Sequence, residues 1–225
     1  MFNLVDLYGK VRAENIPGDF VETGVWKGAN GIVFALVRDL VGETSTRSVY
    51  NLDSFRWLPP PRAIHKRDVN DMHSTYANKH VELRASLDLV IGIYRRYGID
   101  VNDPAANVHM VEGWFNETAP AIAQKVQKIA ILRLDGDMYG STWEVLIYLY
   151  GKVAVGGYVI IDDYKLPGCR AAVDEFRDCL KITSPLVQIK VDDYLLWHEK
   201  PYWKKNEELP DVLPKCFNII PANRR

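Results

Sequence analysis

The sequence has few cysteines and almost no net charge. Three cysteines, Cys169, Cys179 and Cys216, stand among 225 residues, and their spacing fits no metal-binding motif. An odd number without a regular framework favours a reducing, intracellular setting, so we expect a cytoplasmic protein. The 28 basic and 29 acidic residues leave a net charge of −1. At that charge neither nucleic acid nor an anionic membrane is expected as a partner.

Long apolar runs and a secretory leader are also lacking. The first 15 residues have no basic region followed by an apolar core, and the longest apolar runs are well short of a membrane span. We therefore expect no membrane partner. Since 48% of the residues are hydrophobic, the chain can bury a sizeable core. We expect one α/β domain over residues 1–198, followed by a C-terminal extension over residues 199–225.

The most informative stretch contains two short apolar runs that each end in carboxylates. Residues 131–134 and 155–161 have the pattern of buried parallel strands, and Gly140–Lys152 between them has the length and apolar spacing of a helix. Ser141 or Thr142 is predicted to cap its start. Strand, helix and strand form a right-handed βαβ unit, so both carboxylate pairs are expected at the carboxyl ends of parallel strands. Open α/β sheets bind ligands at that edge.

These carboxylates predict a cation site. They are Asp135, Asp137, Asp162 and Asp163. Four carboxylates within a few ångström repel one another, and burial increases the repulsion, so the cluster needs either protons or a cation. Oxygen ligands favour Mg²⁺, Ca²⁺ or Mn²⁺, and the lack of His and Cys in this stretch disfavours zinc. A single Asp here could equally be a helix cap or loop residue, but two pairs joined by one crossover favour the metal interpretation.

A glycine-bearing turn follows the first predicted strand. A short strand ends at Glu22, Gly24 and Gly28 occupy the turn, and a helix is predicted over Ala29–Val41. Glycines allow a ligand to approach the backbone, and the helix start offers free N–H groups. The spacing is not that of a dinucleotide-binding motif, which weakens that interpretation. A tight turn without a ligand remains an equal alternative.

Further candidate binding residues follow the next two predicted strands. Asp53 comes directly after the strand over Ser48–Leu52, where an acidic residue can accept from ribose hydroxyls or cap its own turn. Trp114 follows the strand over Val108–Val111 and can stack on a flat ring or pack in the core. The loop over Phe55–His80 is rich in aromatic residues and histidines, and we interpret it as a lid.

The remaining elements complete an alternating pattern. Helices are predicted over Phe2–Glu14, Val81–Tyr97, Ala119–Lys128 and Arg170–Leu180. A hairpin is predicted from Val187–Val191 and Tyr194–His198, with irregular structure from Glu199 onward.

Five motifs in order resemble the macrocin O-methyltransferase family over about Leu4–His198. They are DFVETGVWKGAN, LDSF, VEGWFNET, LRLDGDMYGSTWEVL and GGYVIIDDYKLPGCRAAVDEFR. The resemblance implies a class I (Rossmann-like) methyltransferase, an α/β fold with a mostly parallel seven-stranded sheet, helices on both faces and a C-terminal antiparallel hairpin. It also implies methylation of sugar hydroxyls on macrolides and related glycosylated molecules, with S-adenosylmethionine as the donor and Mg²⁺ bound as in catechol O-methyltransferase.

The resemblance also implies roles for individual residues. Those expected beside the methyl donor are Glu22, Thr23 and Gly24 near its methionine part, Asp53 and Ser54 near its ribose, Gly113 and Trp114 near its adenine, and Asp135. Those expected to bind Mg²⁺ are Asp135, Asp162 and Asp163. Asp137 is the first candidate for the general base, and Asp135 is the second.

Other interpretations of the carboxylates remain open at this point. Asp135-Gly-Asp137 matches the D-x-D pattern of metal-dependent glycosyltransferases, and haloacid dehalogenase phosphatases also combine such a pair with a later acidic pair. A catalytically silent binding domain is a third alternative. The expected partner is a small-molecule or glycan sugar acceptor. Family members carry an N-terminal arm ahead of the helix that starts here at Phe2, and that arm contributes to subunit contacts. A homodimer therefore stays open, as does a larger enzyme of which this chain is one domain.

Overall fold

A computed structural model describes residues 2–58, 68, 84–187 and 200–208. Its strands are β1 (Asp19–Thr23), β2 (Val49–Asp53), β3 (Val108–Glu112), β4 (Ile129–Leu134), β5 (Val153–Ile161) and β6 (Tyr202–Lys204). Its α-helices are α1 (Phe2–Ala13), α2 (Ala29–Leu40), α3 (Leu87–Arg96), α4 (Phe115–Lys125), α5 (Tyr139–Leu149) and α6 (Pro167–Leu180). Short 3₁₀ turns occupy Pro104–Ala106 and Tyr150–Lys152.

The strands form one sheet in the order β3-β2-β1-β4-β5-β6. The first five strands are parallel, and β6 is antiparallel to β5. The first strand, β1, therefore lies in the middle of the sheet. The chain adds β2 and β3 on one side of it and then crosses over to add β4 on the other side. Thr23 at the end of β1 lies in register with Leu134 at the end of β4. Because the strand order reverses between these two neighbours, a crevice opens at their carboxyl ends, where α/β sheets bind ligands.

Helices cover both faces of the sheet, which confirms the predicted fold class. One core cluster includes Leu132 and Ile161 and packs on α4, α5 and α6. The other includes Phe20 and Ile131 and packs on α1, α2 and α3. All residues of β4 are buried. A strand covered on both faces needs apolar side chains in both directions, which explains why its sequence is a continuous run rather than an alternating one.

Helix α5 begins differently from the prediction. Ser141 and Thr142, the expected caps, lie inside the helix and are buried. The first N–H groups are instead accepted by a side chain from far away in the chain. The Asp68 carboxylate accepts from Tyr139 N at 2.7 Å and from Gly140 N at 3.2 Å. A carboxylate at a helix start is favourable because it satisfies unpaired N–H groups and faces the positive end of the dipole.

Two other helices begin at positions that the sequence pattern did not indicate. Helix α3 begins at Leu87 rather than at Val81. Residues 84–86 have no regular secondary structure, and Ser86 is extended and caps the helix through its Oγ, which accepts from Leu89 N. Helix α4 begins at Phe115, four residues before the predicted start, and contains Pro120. Apolar periodicity detects the packed face of a helix, and it is insensitive to where the first turn begins.

The described residues contain six strands rather than the expected seven. The predicted hairpin over residues 187–198 lies outside the described residues except for Val187, which forms an antiparallel bridge with Tyr202. The prediction of irregular structure from Glu199 onward is wrong where β6 forms. Trp203 in this strand is buried and pairs with Val159 of β5. This strand is only three residues long and lies among Pro, Lys and Glu, so no pattern of useful length marks it. The predicted lid over Phe55–His80 lies outside the described residues apart from residues 55–58 and Asp68.

Two expectations from composition can also be compared with the structure. Among the described residues, no helix combines the length and the apolar character that crossing a membrane requires. Cys169 is a buried free thiol, whereas Cys179 is disulfide-bonded. An odd count does not exclude one bonded pair.

We predict that β6 belongs to the cooperative folding unit. Trp203 is fully buried, with its ring centroid 6.0 Å from that of Tyr150 and 5.1 Å from the Arg177 guanidinium. Replacing Trp203 with alanine should lower the free energy of unfolding by about 3–5 kcal/mol because it leaves a large cavity. Urea unfolding followed by circular dichroism measures this. Leu40→Ala is the control: Leu40 is 86% exposed, and its loss should matter by less than about 0.5 kcal/mol. A loss below about 1 kcal/mol for Trp203→Ala would contradict the prediction.

Candidate active site

A cavity of about 740 Å³ opens at the carboxyl ends of the central strands. Its wall includes the turn after β1, the end of β2, the start of α4 and the carboxylates after β4 and β5. The sequence-predicted residues on this wall are Gly24, Asp53, Ser54, Gly113, Trp114, Asp135, Asp137, Asp162 and Asp163. The fold therefore brings most of the candidate residues into one space, although they come from five separate segments of the chain.

The turn after β1 contacts the end of β4 directly. Gly24 has φ +85°, and a Cβ atom on it would lie 1.7 Å from the carbonyl oxygen of Asp135. The Asp135 N–H donates to the carbonyl oxygen of Thr23 at 2.8 Å. No side chain fits at position 24, and the left-handed conformation also favours glycine. The β1 turn and the first carboxylate after β4 are consequently held at a fixed separation.

Asp53 braces the same turn with its carboxylate. Its Oδ2 accepts from Val25 N at 2.7 Å and Trp26 N at 3.1 Å, and its Oδ1 accepts from Phe55 N at 2.8 Å. Each carboxylate oxygen has two lone pairs, so these bonds leave room for a ligand hydroxyl on the cavity side. Ser54 Oγ accepts from the N–H groups of Arg56 and Trp57, both at 3.2 Å. It donates to the Trp57 carbonyl at 2.8 Å and so acts within its own turn.

Glu22 and Thr23 lie behind the cavity wall rather than on it. Glu22 is fully buried, and its Oε1 accepts from Asn30 Nδ2 at 3.0 Å and from Arg133 Nη1 at 2.9 Å. Glu22 Oε2 has no hydrogen-bond partner among the residues that the structure describes. Burial raises the pKa of Glu22 to about 7, although the charge of Arg133 opposes the rise. The Thr23 hydroxyl donates to the Arg133 carbonyl at 3.1 Å. Both residues support the site from behind.

Three of the four aspartates converge on one point. Oxygen atoms of Asp135, Asp137 and Asp163 all lie within 4.8 Å of one another. The Asp137 N–H donates to Asp163 Oδ2 at 3.2 Å, and Asp137 has a left-handed φ of 58°. Burial raises the pKa of Asp163 well above its usual range, and the charges of Asp135 and Asp137 add to the effect. An all-oxygen donor set with this excess of negative charge fits Mg²⁺ or a similar hard cation.

Asp162 makes different contacts from the other three aspartates. Its Oδ1 accepts from both Arg133 Nη2 and Lys200 Nζ. The resemblance groups Asp162 with Asp135 and Asp163, whereas the geometry groups Asp137 with them. Asp135 and Asp163 belong to both sets, and the full ligand set remains a prediction.

Arg133 is a central site residue that sequence reasoning missed. It lies in β4 with its side chain only 4% exposed. Its Nη1 donates to Glu22 Oε1 at 2.9 Å and to Asp135 Oδ2 at 2.7 Å, and its Nη2 donates to Asp162. Burial of so many carboxylates requires a compensating cation, and Arg133 supplies it. A charged residue inside an otherwise apolar buried strand was the signal that could have identified it.

The part of the wall near β3 is aromatic. Gly113 has φ +146°, and its N–H donates to the Asp53 carbonyl at 2.9 Å. Trp114 follows at the start of α4 and lines the cavity. Trp26 and Trp57 line the cavity as well, although neither was among the candidates. Flat ring systems can stack on such side chains.

A parallel 3-2-1-4-5 sheet with an antiparallel strand beside β5 and this cavity at its switch point defines a class I methyltransferase. Within that class the chain belongs to the macrocin O-methyltransferase family. The sequence profile described as Macrocin-O-methyltransferase (TylF) matches residues 1–200.

Named relatives agree with this assignment. The mycinamicin III 3''-O-methyltransferase of Micromonospora griseorubida is 36% identical over 211 residues, covering 91% of this chain and 75% of the relative. The demethyldecarbamoylnovobiocin O-methyltransferase of Streptomyces niveus is 36% identical over 208 residues, covering 87% and 69%. The structure of the O-methyltransferase NovP superposes with a TM-score of 0.77 at 33% identity, covering 91% of this chain and 78% of that chain. The chain is thus a methyltransferase.

Glycine at position 24 should be essential for the architecture of the site. Gly24→Ala should lower the free energy of unfolding by about 3 kcal/mol or more, since its Cβ would overlap the Asp135 carbonyl. Gly42→Ala is the matched control, because Gly42 also has a left-handed φ of +76° but has nothing within 4 Å of an added Cβ. It should cost only about 1 kcal/mol of backbone strain. Equal losses in the two variants, measured by urea unfolding, would contradict the close contact.

Glu22 should make the stability of the protein dependent on pH. Because its pKa is raised in the folded state, the stabilisation is complete below the unfolded pKa and is lost as the pH rises through about 7. Between pH 5.5 and 8 the wild-type protein should lose about 2 kcal/mol more stability than Glu22→Gln. Urea unfolding at both pH values in a metal chelator measures this difference. Identical pH profiles for the two proteins would contradict the raised pKa.

Proposed function

We propose that this protein transfers a methyl group from S-adenosylmethionine to a hydroxyl group of a sugar, with Mg²⁺ bound at the carboxylate cluster. One observation carries the proposal: a single cavity joins the glycine turn after β1 to the aspartates after β4 and β5. The first feature suits a nucleoside-containing donor and the second suits a hydroxyl acceptor. Membership of the macrocin O-methyltransferase family supports both assignments.

The donor is proposed to lie along the β1, β2 and β3 ends of the cavity. Gly24 lines the cavity there, and Asp53 can present its one remaining carboxylate lone pair to a ribose hydroxyl. Gly113 and Trp114 stand where adenine would lie, with the indole available for stacking. Glu22 and Thr23 do not line this space. They act through Arg133 and the backbone, which they hold in place.

The metal is proposed to bind between β4 and β5. Asp135 and Asp163 would hold it, together with Asp162 or Asp137. When bound, the ion would lower the pKa of the acceptor hydroxyl and fix its orientation. The raised pKa of Asp163 supports this assignment because the cluster holds more negative charge than its neighbours neutralise.

Asp137 is the proposed general base. It lies on the cavity wall beside Asp135, and its backbone N–H is fixed by Asp163 Oδ2. The acceptor oxygen would form a bond to the methyl carbon as the carbon–sulfur bond of the donor breaks. The hydroxyl proton would pass to Asp137, and the donor would leave as the neutral thioether. Much of the rate gain should come from holding donor and acceptor in line.

The acceptor is proposed to be a deoxysugar of a glycosylated natural product or a sugar of a glycan. Two relatives are named for methylation of mycinamicin III and of demethyldecarbamoylnovobiocin. A glycosyltransferase or phosphatase using Asp135 and Asp137 is not favoured, because the whole matched segment follows a methyltransferase family. A silent binding domain is not favoured for the same reason.

Titration calorimetry with S-adenosylhomocysteine tests the donor assignment. The expected result is tight binding of this thioether, and a uridine diphosphate sugar should not bind. Repeating the titration with Mg²⁺ and then with a chelator tests whether donor binding needs the metal. Turnover of deoxysugar glycosides, measured with S-adenosylmethionine under the same two conditions, tests whether the reaction needs it. Metal-dependent binding of the nucleotide sugar without binding of the thioether would replace this proposal with a glycosyltransferase.

Removal of the proposed base should separate chemistry from binding. Asp137→Asn should lower kcat by about 10²–10⁴-fold because the hydroxyl proton loses its acceptor. Its donor dissociation constant should stay within about twofold of the wild-type value, since the donor is proposed to lie along the β1, β2 and β3 ends of the cavity. Asp178→Asn on the exposed side of α6 makes the same chemical change outside the cavity and should behave as wild type. Full activity of Asp137→Asn would assign the base elsewhere.

A further inference from the structure

Two basic side chains meet on one oxygen of Asp162, and their surroundings differ. Arg133 is 4% exposed and also binds Glu22 and Asp135, so it is held from three sides. Lys200 is 20% exposed, lines the cavity, and reaches Asp162 through its terminal ammonium group. The arginine belongs to the interior of the sheet, whereas the lysine approaches from the open side.

The backbone at Lys200 is held in place, whereas its side chain can change conformation. Pro201 follows Lys200 in the chain, and its carbonyl oxygen accepts from the Ile161 N–H at 2.8 Å. Strand β6 begins directly after Pro201. The lysine Cα therefore stays beside the end of β5. Four rotatable bonds still allow the ammonium group to turn away from Asp162 without a change in the backbone.

Around Asp162 the carboxylates outnumber the basic side chains. In the described part of the chain, the ion pairs place two cations at this edge, Arg133 and Lys200. The carboxylates at the same edge are Glu22, Asp135, Asp137, Asp162 and Asp163. A divalent cation beside Asp135 would lie close to Asp162, because the two terminal nitrogens of the Arg133 guanidinium bind Asp135 Oδ2 and Asp162 Oδ1. Two cations near one carboxylate repel each other, so the more mobile one is displaced.

We propose that Lys200 is the internal counter-ion of Asp162 and that the divalent cation replaces it. Lys200 holds the carboxylate at the cavity edge before the metal binds, and metal binding releases its ammonium group into the cavity. The lysine thus competes with the metal and weakens its binding. This inference rests on the metal site in the proposed function, and it adds a residue that positions Asp162 and sets the affinity of that site.

Metal affinity measured by calorimetry tests the competition directly. Titrations use Mg²⁺ and, separately, Mn²⁺ in chelator-treated buffer without donor or acceptor, so the result does not depend on turnover. Lys200→Met keeps the length of the side chain but removes the charge, and it should bind the metal about tenfold more tightly. Lys200→Arg keeps the charge and should stay within about twofold of wild type. Lys128→Met removes a charge from an exposed pair with Glu208 and should also match wild type.

A second measurement follows Lys200 in the unmodified protein. An amine-acylating reagent, with mass spectrometry of the peptides, reports how reactive each lysine is. Addition of Mg²⁺ should raise the labelling of Lys200 severalfold, because the ammonium group leaves Asp162, and should leave Lys128 unchanged. A decrease at Lys200, or an equal change at both lysines, would overturn the displacement.

The outcomes separate this inference from the proposed function. If wild type binds the metal and Lys200→Met binds it equally or more weakly, Lys200 is a structural partner of Asp162 and the inference fails alone. If wild type binds neither Mg²⁺ nor Mn²⁺, the metal assignment in the proposed function fails, and the inference fails with it. Tighter binding in Lys200→Met but not in Lys200→Arg or Lys128→Met supports both.

Discussion

Electrostatic repulsion among buried carboxylates is the constraint on which the site depends. The ends of β1, β4 and β5 bring Glu22, Asp135 and Asp162 around a single buried guanidinium, that of Arg133. Without this cation three largely buried acidic side chains would face one another with no opposite charge between them, which is strongly unfavourable. The arginine therefore makes it possible for a sheet built from apolar runs to end in a cluster of negative charge.

This arrangement divides the carboxylates into two groups that differ in their contacts. Glu22 and Asp162 face basic partners and hold the framework together. Asp135, Asp137 and Asp163 direct oxygen atoms toward one another at the cavity edge, where the proposed cation would bind. Asp135 takes part in both groups through its contact with Arg133. The proposed chemistry thus uses carboxylates whose positions are set by residues that do not themselves touch the acceptor.

The sequence was most informative where function depends on local order along the chain. Apolar runs that stop at aspartates predicted β4, β5 and their shared edge, because parallel strands place their carboxyl ends together. Contacts across long separations could not be foreseen in this way. Asp68 caps a helix that begins 71 residues later. Lys200, which forms an ion pair with Asp162, follows a segment whose pattern indicated only a hairpin. Side-chain partners of this kind follow from tertiary packing, and local patterns carry no information about them.

The cap on α5 has a consequence for anion binding at the start of this helix. This helix begins two residues after Asp137, and a free helix start beside the cavity would attract phosphate groups. The Asp68 carboxylate already accepts from the N–H groups of Tyr139 and Gly140. An anionic group on an incoming molecule would meet a negative charge there instead of open donors. The start of α5 is therefore not open to a phosphate group.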